Sequence, residues 1–233
     1  MKTKSIIFNK HFNTLKNGLG IEEEWVCLWD DNMSEDSYDP FVNFEIKEID
    51  DMINSLGSLI PRIEHNFNNG YYNWSENRIS LPLQGQFNSR EMFYRTKMHE
   101  IFHSFGRGCV LNRKSFVEYD EVNERRNNFL KNSDFFTAVF SNERFDHDRS
   151  LSIAYHKEEV VVEFGVYLLF EHLGLMTDEL RHSLIMYIRR SYNGFGADMA
   201  YLKSACLESK RMVEFFLEES KKAKEVKSLE FSL

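Results

Sequence analysis

His99-Glu100-Ile101-Phe102-His103 decides how this chain of 233 residues is read. Positions four apart share a face of an α-helix, so the two imidazoles of an H-E-x-x-H pattern can point at one ion. Two nitrogens so placed suit a tetrahedral zinc, and the glutamate between them can reach a water there as general base. Working outward, Met92, Thr96, His99 and His103 recur at steps of 4, 3 and 4 and define one face of a predicted helix. Asn88 is placed to cap it, with Glu91 in the capping-box position. Arg95 and Lys97 lie off the buried stripe. Gly106 and Gly108 end the helix.

A catalytic zinc takes three protein ligands and keeps one position open. The third ligand must come from another element, and Glu158-Glu159-Val160-Val161-Val162-Glu163 is the leading source. Glu159 and Glu163 are four apart on an otherwise apolar helix. A carboxylate on a buried face costs several kcal/mol unless it is paired or bound to a cation. Glu159 is therefore expected to ligate the ion. Glu163 is expected to accept a hydrogen bond from the outer N–H of a ligand histidine. Glu158 is the fallback ligand, and Asp146, His147 and Asp148 form a weaker alternative. Tyr155, four residues before Glu159, shares its face and can donate to an oxyanion; plain packing is the competing reading.

The rest of the chain reads as α+β: a small N-terminal sheet, the histidine helix, then a helical part. Ile21 to Trp29 suggests a strand and Asp30 to Asp39 an acidic loop. Ile46, Ile49, Ile53 and Leu56 recur at helical spacing and Gly57 ends that helix. Leu59 to His65 and Tyr71 to Trp74 bracket Asn69-Gly70, a hairpin signal, and Arg78 to Leu81 reads as a third strand. The charged stretch 114–150 reads as a loop insertion with some helix. Further helices are expected at 154–173, 177–192 and 197–224, with Gly174 stopping the first. The domain spans 46–224, after an N-terminal extension (1–45) and before a polar tail (225–233).

The formal net charge is −8, and no basic block stands out. Net charge thus gives no support to nucleic acid as a partner. With 21 Phe, 10 Tyr and only 3 Pro, the composition is that of an ordered globule. A core of this size needs no metal to hold it, which directs a zinc site toward chemistry. The cysteines, Cys27, Cys109 and Cys206, are scattered and odd in number, as expected in a reducing compartment. No signal peptide or membrane-spanning run is present, so a cytoplasmic protein with no membrane partner is expected.

Over about residues 46–220 the chain resembles the zincin-like metallopeptidase domain of ArdC-type antirestriction proteins and of polyvalent proteins of phages and mobile elements. The matching pieces run in the family's order: Tyr71-Tyr72, Asn77 to Pro82, Phe87, Phe93-Tyr94-Arg95-Thr96, His99 to His103, Val110-Leu111-Asn112-Arg113, and Tyr155 with Glu158, Glu159 and Glu163. Ser104-Phe105-Gly106-Arg107 departs from the family's usual Trp-Thr-Gly-His. The first 45 residues do not match the single-stranded-DNA-binding domain that ArdC-type proteins carry. The resemblance implies a zinc-dependent peptidase of the Glu-ligand type, acting on a protein or peptide. His99, His103 and Glu159 hold Zn2+ in this reading, Glu100 is the base, and Tyr155 aids the oxyanion. Arg78, Ile79, Ser80 and Leu81 then supply the edge strand that pairs with substrate. The alternative function is a non-proteolytic anti-defence binding module on the same scaffold.

Overall fold

Helix α1 (Lys47–Leu56) turns Ile49, Met52, Ile53 and Leu56 inward, and Gly57 ends it at φ 52°. It belongs to a computed structural model that describes residues 43–66 and 69–230. The strand and acidic loop expected within residues 1–42 lie outside the described residues. Strands β1 (Arg62–Asn66), β2 (Tyr71–Asn73) and β3 (Arg78–Pro82) form a sheet in the order β1-β3-β2. Strand β3 runs parallel to β1 and antiparallel to β2. The fold is α+β, as the sequence implied.

Two expectations about this sheet need correction. Asn69-Gly70 does not close a hairpin between its flanking strands, because β1 and β2 do not pair. The tight turn lies at Trp74–Asn77 instead, where the Asn77 N–H bonds the Trp74 carbonyl at 3.3 Å and Asn77 takes φ 48°. Nor are Arg78, Ile79, Ser80 and Leu81 an edge. They lie in the central strand, both sides of which are already paired. A substrate strand has no main-chain groups to meet there.

Helix α2 (Arg90–Ser104) carries the histidines. Its N-cap is Ser89, whose hydroxyl accepts from the Met92 N–H at 3.3 Å, one residue past the expected Asn88. The helix is buried around most of its circumference, including Arg95, which the periodicity had set off the buried face. Lys97 is tied to α1 through Asp50 at 2.7 Å, and the Tyr94 hydroxyl bonds the same carboxylate.

Residues 114–150 are almost wholly helical where a loop insertion with some helix was expected. Helix α3 (Lys114–Asn132), short α4 (Phe135–Phe140) and the start of α5 (Asn142–Leu173) fold back as a helical hairpin. Glu118–Lys157 at 2.6 Å and Arg126–Asp148 at 2.5 Å clip its two long arms together. Most of its charged residues face solvent, so composition alone imitated a loop. Helix α5 stops at Gly174 (φ 68°), where the Leu175 N–H bonds the Phe170 carbonyl at 2.9 Å. Helices α6 (Asp178–Gly194) and α7 (Met199–Glu230) complete the helical layer, with α7 continuing into the expected polar tail as far as Glu230. No described helix is long and apolar enough to cross a membrane.

The core sits where α2 crosses α5, with Phe102, Val161, Val162, Phe164 and Phe216 fully or almost fully buried. After α2, the loop 105–113 folds tightly and the Arg113 N–H bonds the Gly106 carbonyl at 3.1 Å. A Cβ at Gly106 would fall 2.4 Å from the Phe116 ring. Gly106→Ala should therefore destabilise the fold by about 1–3 kcal/mol, as overpacking does. In thermal melts that amounts to about 2–4 °C per kcal/mol for a chain of this size; an unchanged melting temperature would contradict this packing.

Candidate metal centre

Helix α2 places His99 and His103 one turn apart, and α5 brings Glu159 across to meet them. The Nε2 atoms of His99 and His103 are 3.0 Å apart. Glu159 Oε2 lies 3.4 Å from His99 Nε2, and Oε1 lies 3.3 Å from His103 Nε2. Ligands about 2.0 Å from a tetrahedral ion stand about 3.3 Å from one another, so these spacings are of the right size, with Glu159 turning a different oxygen to each histidine. One ligand atom from each residue lies within 4.8 Å of the other two.

The two outer imidazole nitrogens meet carboxylates as well. His99 Nδ1 lies 3.0 Å from Glu163 Oε1, and His103 Nδ1 lies 3.2 Å from Glu158 Oε1. The His103 contact suits Nδ1–H donation, which leaves its Nε2 lone pair free for an ion, whereas His99 Nδ1 lies close to Glu163 without the alignment of a hydrogen bond. Each carboxylate has its own guanidinium. Arg95 Nη2 donates to Glu163 at 2.5 Å, while Arg113 Nη2 donates to Glu158. Ser115 Oγ adds a bond to Glu158 at 2.6 Å. Glu158 is thus occupied in holding His103, which removes it as a fallback ligand. Asp148 of the weaker alternative is taken by Arg126 and Arg144, both at 2.5 Å.

Arg113 comes from the matched Val110-Leu111-Asn112-Arg113 segment. Its Nη1 also donates to the Phe102 carbonyl at 2.7 Å, near the negative end of the α2 dipole. Sequence reading identified neither Arg95 nor Arg113 as part of the site. Arg95 had a usable signal, since position 95 precedes His99 by four residues and shares its face.

Among the described residues, every buried Asp, Glu, Lys, Arg or His belongs to this cluster: Arg95, His99, Glu100, Arg113, Glu158, Glu159 and Glu163. With neutral imidazoles, four carboxylates face two guanidiniums and leave two negative charges. Buried charge requires compensation, and one divalent cation supplies the missing amount. Without an ion the histidines gather protons instead. Burial alone lowers the His103 pKa, but Glu158 and Glu159 outweigh it and carry it to about 10. His99 rises also, against burial, under the pull of Glu159 and Glu163. Glu159 moves the other way: burial raises its pKa, yet His99, His103 and Tyr187 bring it to about 2.

Glu100 is buried beside this triangle. Burial raises its pKa, which His99 and His103 partly offset, and a backbone hydrogen bond from Tyr72 fixes the carboxylate. Strand β2 lies over α2 to make that bond, and Gly70 allows the approach. A Cβ there would fall 2.8 Å from Thr96 Cγ2 and 3.5 Å from Glu100 Oε1. The turn signal at Asn69-Gly70 therefore has a different physical cause, which is close packing on the histidine helix.

Tyr155 lies on the expected face, with its hydroxyl 3.3 Å from that of Tyr187. Burial and Glu159 raise its pKa, so it stays a proton donor. Tyr187, from α6, donates to Glu159 Oε2 at 2.8 Å and meets His99 edge-on. It entered the sequence reading only as part of an amphipathic helix, and no local motif marks it.

Comparison with known proteins finds similar solved structures and one family. The two ArdC antirestriction protein structures from the R388 plasmid, one metal-free and one Mn(II)-bound, are each 19% identical to the chain, with TM-scores of 0.47 and 0.46. The matches cover 81% and 77% of this chain but only 56% and 54% of theirs, little more than half their length. No curated protein sequence matches. Residues 47–130, which contain the whole histidine helix, match the model of a family described as zincin-like metallopeptidase.

Proposed function

We propose that the protein is a zinc-dependent metallopeptidase that hydrolyses peptide bonds in a protein substrate. The observation that carries the proposal is the convergence of His99, His103 and Glu159 beside a buried Glu100. A domain spanning 46–224 with the ion at its centre fits this reading. The Mn(II)-bound ArdC structure supports a divalent ion, and the nitrogen and oxygen donors suit zinc. A zinc ion held by the three ligands lowers the pKa of a bound water and polarises a carbonyl oxygen.

The chain's own groups do the rest. Glu100 accepts the water proton as the oxygen attacks the peptide carbonyl, then delivers it to the leaving amine. Burial raises its pKa, which favours its holding the proton between the two transfers. The Tyr155 hydroxyl donates to the oxyanion, and Tyr187 holds Glu159 in register. Glu158 keeps His103 in the tautomer that presents Nε2 inward, and Glu163 lies beside the outer nitrogen of His99. Strand β2 is paired on one side only among the described residues, so the edge-strand role passes to Tyr71–Asn73. An extended peptide lying along β2 would run beside Tyr72, whose main chain meets Glu100.

Glu100→Gln should retain about one zinc per chain while cleaving an unfolded protein such as casein about 10²–10⁴-fold more slowly. Zinc content and cleavage are measured on the same preparation. Casein cut at the wild-type rate would remove Glu100 from the mechanism, and failure of the wild type to cut it would contradict a general peptidase.

Zinc binding should also release protons. Against burial, the neighbouring carboxylates raise both imidazoles, His103 to about 10, so at pH 7 an incoming ion displaces the His103 proton and competes with protonation of His99. Affinity should fall as the pH is lowered, by up to about 100-fold per pH unit while two protons compete. Calorimetry in buffers of different ionisation enthalpy counts them. Between one and two protons per ion is expected at pH 7, and none would contradict the coupled cluster.

A further inference from the structure

Four aromatic side chains from four elements form a continuous row at the metal centre. Trp74 follows β2 directly, Tyr119 belongs to α3, Tyr155 to α5 and Tyr187 to α6. The Trp74 and Tyr119 rings are 5.1 Å apart between centroids, and those of Tyr119 and Tyr155 are 6.0 Å apart. The row ends at Tyr187, hydrogen-bonded to Glu159. Phe116, itself buried, supports the Trp74 ring edge-on at 5.5 Å.

These rings are not core. Trp74, Tyr119 and Tyr187 are partly exposed, and Tyr155 is 38% exposed. The polar ends of Tyr155 and Tyr187 face each other and Glu159, so hydrogen bonding accounts for them. It does not account for the apolar faces of Trp74 and Tyr119. Trp74 directly follows Asn73, the last residue of β2, so a peptide paired along β2 would run toward it.

We infer that Trp74, Tyr119 and Tyr155 form a subsite that selects an aromatic or large aliphatic side chain next to the cleaved peptide bond. This rests on the peptidase reading of the metal centre. The surroundings favour a peptide over a nucleobase on the same rings. Asp120, Glu121 and Glu124 follow Tyr119 on α3, and this acidic segment repels a phosphate backbone. The selectivity is hydrophobic burial together with ring-on-ring contact.

The test uses zinc-loaded full-length protein and two small metal-binding probes, glycine hydroxamate and L-phenylalanine hydroxamate. Both carry the same zinc-binding head, and only one has a ring. The phenylalanine compound should bind at least about tenfold more tightly in calorimetric titration. Trp74→Ala should reduce that ratio to about threefold or less, while Trp74→Phe, which keeps a ring, should retain most of it. Equal binding of both probes to the wild type would overturn the subsite and leave the metal centre standing. Binding of neither probe would overturn the metal-centred reading and the subsite with it.

Discussion

Four carboxylates and two guanidiniums are packed between two crossing helices, out of water, around two imidazoles. That unbalanced charge is the constraint on which the structure turns. Elsewhere among the described residues, Asp, Glu, Lys, Arg and His avoid full burial. Here they concentrate, because each is needed to hold another. Arg95 compensates Glu163, which orients His99, and Arg113 compensates Glu158, which orients His103. Glu159 stands between the imidazoles with no arginine of its own. The place left for its counter-charge is the place of an ion.

The scaffold follows from this requirement. Two helices must approach closely enough for short side chains to meet. Gly165 on α5 eases that approach, since a Cβ there would fall 3.2 Å from the Phe102 ring of α2. Gly70 does the same for β2 over α2, and brings main chain to the carboxylate of Glu100. Ser115, Arg113 and the tight loop after α2 close the far side. A rigid apolar surround fixes the rotamers of the charged groups, so the ligand triangle is preorganised by packing.

The sequence revealed features whose signals are local. The histidine spacing is one helical turn, and carboxylates in a run of valines contradict their own surroundings. Both were readable without a partner in view. Glu158 and Glu159 were harder to separate, because neighbours on a helix differ by about 100° in direction and only the opposing helix decides which faces the ion. Arg95 was misplaced because a stripe analysis assumes a solvent-facing side, and α2 has almost none. Strand order was illegible for a related reason: hydrophobic alternation marks a strand but does not name its neighbours. Tyr187 and Arg113 reach the site through tertiary contacts with no local pattern. The helices at 114–150 were hidden by charge that turned out to be solvated surface and interhelical ion pairs.

The most direct measurement is X-ray absorption spectroscopy at the zinc edge on the loaded protein. The account predicts one zinc with nitrogen and oxygen neighbours at about 2.0–2.2 Å and the outer-shell scattering of two imidazoles, with no sulfur. His103→Ala should remove one imidazole from that pattern. A sulfur neighbour at about 2.3 Å, or a spectrum with no imidazole scattering, would place the ion elsewhere and contradict the centre described above.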